Sequence, residues 1–378
     1  MGKDFSAYQI VMSGIYLHFP FCQSKCSYCD FYSIVYSEKL VSGYIQALKS
    51  EIQLRSGFFP GNKNIETLYI GGGTPSLLSP ERLKDILHHL SDFFNIIESP
   101  EITIEVNPGG TFTQVFSDYK KSGINRISIG AQSFRKNELA LMKRIHNPED
   151  IKTVCSYVRK AGLENFSLDL MYGLPGQNRK DWEYSLFESI ALKPKHISAY
   201  NLTWSGKTPL GRKIIKGYIP TPQEKAVSEM YLYTDKILSE NGFEHYEISN
   251  YALPGYRCIH NEGYWTDQPY LGLGPSAHSF SENKRFWNVS DVKEYISRLS
   301  QSVLPVEEEE VLSAEQRRAE CIAVGLRRKE GIDIRHNSID LSKVDNFIQK
   351  GLAVHVGKKL KLTPRGMLFA DEVALRVV

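Results

Sequence analysis

The feature that most narrows the fold is an alternation of short β-like runs with longer stretches of helical period over residues 1–203. Strands are expected at Gly14–Pro20, Thr67–Gly72, Glu101–Asn107, Arg126–Gln132, Phe166–Tyr172 and His196–Leu202. Crossover helices are expected over Ser37–Leu54, Pro80–Phe94, Thr111–Ser122, Pro148–Ala161 and Arg179–Leu192. Repeated strand–helix units imply a parallel sheet with right-handed crossovers. Six of them favour an α/β fold of the partial (β/α)6, TIM-like barrel kind. Glycine-rich runs follow strands rather than precede them: Gly71-Gly72-Gly73-Thr74-Pro75-Ser76, Asn107-Pro108-Gly109-Gly110 and Gly173-Leu174-Pro175-Gly176. In such barrels the C-terminal strand ends carry the active site, although turns also gather glycine.

Beyond Thr203 the pattern changes to a long helix, Thr221–Glu240, a strand-like His245–Tyr251 and a glycine- and aromatic-rich stretch to Phe286. After Pro305 the acidic run Glu307–Glu310 reads as the solvated start of a helical region reaching Lys329, since carboxylates suit a helix N-terminus. Short helices and a hairpin through Leu352–Val356, Leu360–Leu362 and Thr363–Gly366 resemble a winged-helix unit. The expected division is a barrel (1–203), an α+β extension (204–304) and a winged-helix-like C-terminal unit (305–378).

With 46 basic and 43 acidic residues the net charge is +3, too balanced to call for a nucleic-acid partner. No stretch approaches the ~20 apolar residues of a membrane span. Met1–Ser13 has no apolar core followed by a small-residue cleavage site. A cytoplasmic location is therefore expected, with peripheral membrane contact left open.

Of six cysteines, three crowd into Cys22-Gln23-Ser24-Lys25-Cys26-Ser27-Tyr28-Cys29, directly after the first strand. A disulfide framework belongs to short secreted chains. Structural zinc completes four protein ligands, and no fourth Cys or His follows in this loop. A [4Fe–4S] cluster held by Cys22, Cys26 and Cys29 fits better, because three thiolates leave one iron open to a chelating small molecule. Cys155 and Cys321 read as small buried hydrophobes.

The cysteine spacing, with Tyr28 before the last Cys, resembles the radical S-adenosylmethionine superfamily. More closely, the chain resembles the branch containing oxygen-independent coproporphyrinogen III oxidase and the HemW-type heme chaperones, from Tyr16 to about His278. Tyr246–Ala252 and Gly272–Ser279 also look like this branch. The resemblance implies that Tyr16, Tyr28, Gly72 and Glu105 contact S-adenosylmethionine on the cluster. It implies that Gly73, Thr74, Gln132, Arg144 and Asp169 line a second S-adenosylmethionine site. The chemistry implied is one-electron reduction of the cluster and homolysis of the sulfonium C–S bond to methionine and a 5′-deoxyadenosyl radical, with the protein supplying position and exclusion of water.

Within the branch, the oxidases carry a further Cys where this chain has Phe31, and an N-terminal extension absent from the dozen residues before the first strand. His260-Asn261-Glu262-Gly263-Tyr264-Trp265 matches the His-Asn-x-x-Tyr-Trp motif of the chaperones. It implies haem as bound cargo with His260 as an iron ligand, and Arg257 as a partner for a propionate. Cys258 is too close to His260 to make a motif by itself. The implied function is haem binding and transfer to an acceptor apoprotein, served by an electron donor, with cofactor cleavage left open. The alternatives are the oxidase, and an RNA-modifying enzyme using Lys358, Lys359, Lys361 and Arg365, whose binding would depend on salt.

Overall fold

A computed structural model of the protein describes residues 13–59, 64–109 and 115–378. The N-terminal segment before Ser13, Gly110 and the start of the expected helix at Thr111 lie outside those residues. Ser13–Phe19 (β1), Ile65–Gly72 (β2), Ile96–Val106 (β3), Arg126–Gln132 (β4), Phe166–Tyr172 (β5) and His196–Asn201 (β6) are parallel neighbours in that order. Between them run Glu38–Leu54 (α1), Pro80–Phe93 (α2), Val115–Lys121 (α3), Lys136–Leu141 (α4), Pro148–Lys160 (α5) and Arg179–Ala191 (α6). Local chemistry sets the helix starts. Ser79 caps α2 ahead of Pro80, and Asn147 and Asn178 form capping boxes with Asp150 and Asp181, each cap worth about 1 kcal/mol.

The strands alternate strictly. Ile15, Leu17, Phe19, Leu68, Ile70, Ile102, Ile104, Ile127, Ile129, Leu168 and Leu170 are buried in one core with Val41, Leu48, Leu83, Ile86, Val154 and Leu186 of the helices. The intervening positions are polar: Tyr16, Tyr69, Glu105, Arg126, Ser128, Asp169 and Ser198. Parallel strands covered on both faces usually read as unbroken apolar runs. Here period two survives because the inner face lines a polar cavity.

The sheet continues at both edges. Pro209–Ile215 (α7) and Glu224–Glu240 (α8) lead to Glu244–Glu247 (β7) and Asn250–Ala252 (β8), an antiparallel pair added beyond β6. The expected single strand over His245–Tyr251 is thus two strands joined by a turn at Ile248 and Ser249. Ile259–Trp265 (α9) precedes Tyr270–Leu273 (β9), which pairs parallel with β1. His278–Ser281 (β10), Lys284–Asn288 (β11) and, after Val292–Ser300 (α10), Val306–Val311 (β12) follow antiparallel. The two sheet edges do not pair with each other, so the barrel is open.

Glu307–Glu310 is therefore not a helix start but the middle of edge strand β12, paired with β11. Val306 offers no capping oxygen. The helix instead begins where Ser313 and Gln316 form a capping box, at Ala314–Gly325 (α11). Since β12 belongs to the main sheet, that sheet runs past the expected boundary at 304/305. Ile332–Asp333 (β13), Asp345–Gln349 (α12), Ala353–Val356 (β14), Lys359–Leu362 (β15), Pro364–Met367 (α13) and Ala370–Val377 (α14) complete the chain, with a small sheet ordered β13-β15-β14. Cys155 is fully buried on α5, whereas Cys321 on α11 is only half-buried.

Candidate cofactor site at the barrel mouth

The cysteine loop leaves β1 and is tied down at several points. Phe21–Cys22 pairs with Ile34–Val35, closing the loop at its base. Ser27 N and Ser27 Oγ donate to the carbonyls of Met142 and Leu141 at 3.0 and 2.8 Å, and Leu210 N donates to Ser27 O at 2.8 Å. Arg144 Nη1 donates to Cys26 Sγ at 3.5 Å, while Nη2 donates to Asn107 Oδ1 and to Gly130 O at 2.5 and 2.8 Å. The guanidinium thus links the loop to the ends of β3 and β4.

The glycine run that ends β2 packs against this loop. Gly72 has φ 113°, and a Cβ there would lie 2.8 Å from the His18 ring. A Cβ on Gly73 would come within 2.5 Å of Phe21 O. Any side chain would push the strand end away from the loop.

Beneath lies a cavity of about 480 Å³. Cys22, Cys26, Cys29, Tyr28, Gly72, Gly73, Thr74, Glu105, Gln132, Arg144 and Asp169 line it together. Tyr16 is not part of that wall; its hydroxyl meets His18 Nδ1 at 3.1 Å and its ring stacks on Tyr69. The sequence reading missed Tyr69, Asn107, Arg126, Ser128, Ser198 and Asn261, which also face the cavity. Polar residues at period two in otherwise apolar strands were the available signal for four of them.

Glu105 Oε2 accepts from Gly72 N and Oε1 from Tyr69 OH, both at 3.1 Å. Burial, followed by the nearby Asp169 charge, pushes its carboxyl up to about 7. Burial also raises Asp169, against the hydroxyls of Ser128, Ser198 and Ser167, which donate to it at 2.7, 2.7 and 3.1 Å. Two buried acids suit a cationic guest.

Among the described residues, no three His, Cys, Asp or Glu are gathered for a single metal ion. The thiols instead share one cavity wall, which suits a multi-iron cluster better than one ion. Burial pushes the Cys29 thiol up to about 11; bound iron would reverse that by holding the thiolate.

His260 lies elsewhere. Its segment α9 packs against β1 and β2, away from the cysteines. Nδ1 pairs with Thr67 Oγ1 at 2.8 Å and Nε2 with Tyr264 OH at 2.9 Å, and the ring stacks on Tyr69. Burial, aided by Arg126, pushes it down to about 3. The adjoining space is about 10 Å³, so haem iron does not reach His260 in this conformation. Arg257 is likewise unavailable to a propionate, because Glu244, Glu262 and Glu330 hold it at 2.8–3.0 Å. Cys258 is buried 3.5 Å from Glu101 Oε1, apart from the cluster loop. Phe31 stands 67% exposed at the cavity mouth.

An open parallel barrel with three thiols on the loop after its first strand defines the radical S-adenosylmethionine class, and residues 16–187 match the Radical SAM superfamily model. Heme chaperone HemW of Mycobacterium tuberculosis is 33% identical over 366 residues, covering 95% of this chain and 93% of the relative. That of Bacillus subtilis is 32% identical over 376 residues, covering 96% and 98%. The chain belongs to the heme chaperone HemW family. Coproporphyrinogen III oxidase from Escherichia coli shares the fold, with a TM-score of 0.84 over 97% of this chain and 89% of that one, at 23% identity.

Proposed function

We propose that this protein is a heme chaperone that binds haem and passes it to an acceptor protein. The observation that carries the reading is similarity to HemW proteins over nearly the whole of both chains. The site supports it. Cys22, Cys26 and Cys29 would hold the [4Fe–4S] cluster, and Tyr28, Gly72 and Glu105 would meet S-adenosylmethionine beside it, with Tyr16 behind them. Gly73, Thr74, Gln132, Arg144 and Asp169 would line a second S-adenosylmethionine position. When bound, cluster and S-adenosylmethionine supply one-electron chemistry on a sulfonium. The chain's own part is to neutralise the cation with Glu105 and Asp169, hold the loop through Arg144 and shield the cavity from water.

Phe31 at the mouth, where the oxidases have a thiol, separates this chain from them. His260 serves as a haem ligand only if α9 lifts from the barrel, breaking its bonds to Thr67 and Tyr264. The reading also includes a cytoplasmic setting, an external electron donor, a barrel unit and a winged-helix-like unit beginning after Val311. Among the described residues no helix is long and apolar enough to cross a membrane.

The deciding experiment incubates the anaerobically reconstituted protein with coproporphyrinogen III, S-adenosylmethionine and a strong reductant, with chromatography of the porphyrins. No decarboxylation, together with stoichiometric haem binding in a separate titration, is expected. Catalytic formation of protoporphyrinogen IX would replace the chaperone with an oxidase.

A further inference from the structure

Three carboxylates and one guanidinium lie along the interior of the barrel, from Glu105 beside Gly72 to Glu101 beside α9, and their partners are unevenly divided. Glu101 accepts from the backbone N–H groups of Ile259 and His260 at 3.0 Å and from the Cys258 thiol at 3.5 Å. Asp169 takes three serine hydroxyls, and Glu105 takes Gly72 N and Tyr69 OH. Each acid is satisfied by neutral donors.

Arg126, at the start of β4, is not. It is 1% exposed, its Nε has no partner, and among the described residues its side chain makes no hydrogen bond or ion pair. It faces the 480 Å³ cavity. Asn261, from α9, faces the same cavity, and its side-chain amide also makes no hydrogen bond among the described residues. A buried cation is costly unless an anion pairs with it. Among the described residues no carboxylate comes within ion-pair distance of it, although the charge of Glu101 favours its own.

We propose that Arg126 and Asn261 form a carboxylate subsite at the barrel floor. The guanidinium fork matches the two oxygens of a carboxylate, and the Asn261 amide adds a third donor. A phosphate fits less well, because Glu105 and Asp169 would repel a second negative charge. Arg126 lies six residues before Gln132, with the irregularity between Ile129 and Gln132 leaving roughly 15 Å of strand at ~3.3 Å per residue. The carboxylate held here is therefore not one that chelates the cluster iron. Two sources share this chemistry: the methionyl carboxylate of an S-adenosylmethionine deeper in the barrel, and a porphyrin propionate. The subsite stands whether or not haem is the cargo.

The test measures affinity of the reconstituted protein for four probes: S-adenosylmethionine, its decarboxylated analogue, haem and haem dimethyl ester. Arg126→Gln and Asn261→Ala are compared with the unaltered chain, with cluster absorbance and melting temperature checked for each. One carboxylate-bearing probe should bind about tenfold to a hundredfold more weakly to Arg126→Gln, as expected for a charged hydrogen-bonded pair. The matching probe without that carboxylate should show no such difference. Loss confined to S-adenosylmethionine identifies the first source, and loss confined to haem the second. Should Arg126→Gln fail to fold, Asn261→Ala and Arg126→Lys carry the same comparison, with smaller losses of the same pattern. Folded variants that bind all four probes as the unaltered chain does would overturn the subsite. Absence of haem binding by the unaltered chain would instead count against the chaperone reading and leave the S-adenosylmethionine arm in force.

Discussion

Glu105 and His260 sit at the two ends of one chain of contacts, joined by Tyr69, which donates to the first and stacks on the second. Glu105, raised to about 7, is mostly protonated at pH 6 in the free protein. S-adenosylmethionine is cationic and favours the carboxylate, so its binding should release a proton there. Affinity is expected to rise as pH climbs from 5 to 7 and to level off above, by at most about tenfold per pH unit. Calorimetry in two buffers of different ionisation enthalpy reads the proton directly, and Glu105→Gln should abolish the pH dependence. His260 gives a second prediction. If haem recruits it by lifting α9, Thr67→Val removes a bond worth about 1 kcal/mol from the closed form and should tighten haem binding roughly fivefold. Unchanged affinity in a haem titration would remove His260 from the haem site. These residues also mark where the sequence stopped being legible. That Cys22, Cys26 and Cys29 share one cavity wall could be read from spacing, because they lie within eight residues of one another. The burial of His260 and the three carboxylates around Arg257 come from contacts across the fold, which adjacency in the chain does not reveal.

Among the elements, the six parallel strands and their helices were legible because period two, period 3.6 and capping residues agree. The strands β9 to β12 were not. Tyr270–Leu273 is only four residues long and glycine-bearing, and four of the six residues of Val306–Val311 are glutamates, so neither carries a strand signal long enough to read. Their place is set by partners far along the chain. Glu51 on α1 shows how such elements are fixed. It is fully buried and accepts from Gly274 N, Asn288 Nδ2 and Tyr295 OH at 2.8, 2.6 and 2.6 Å. One carboxyl thus joins the first crossover helix to the turn after β9, to β11 and to α10. Glu51→Ala leaves Gly274 N and Tyr295 OH without an acceptor and Asn288 Nδ2 with Gly274 O alone, and should cost about 3–5 kcal/mol in denaturant unfolding. Glu51→Gln, which keeps an acceptor oxygen, should cost clearly less.

At the scale of the whole molecule, an open sheet must protect its edges. Strand β12 forms one of them, with Glu307–Glu310 exposed and Lys284 paired to Glu309 across to β11. The acidic run misread as a helix start therefore guards an edge. Replacing Glu308 and Glu310 by Val should leave the monomer's melting temperature within a few degrees while promoting self-association, seen by light scattering during size exclusion. A purely monomeric variant would assign edge protection to something else. The interior of the same sheet has a consequence in time rather than in space. Strand β1, from which the cysteine loop springs, is completed on one side by β9, with Ile15 opposite Leu271. At ~5–20 residues per second a ribosome needs on the order of 10–50 s to pass from one to the other. During that interval the thiols emerge on a strand with an unfilled edge, so a nascent chain is exposed to oxidation before the sheet around its cysteine loop is complete.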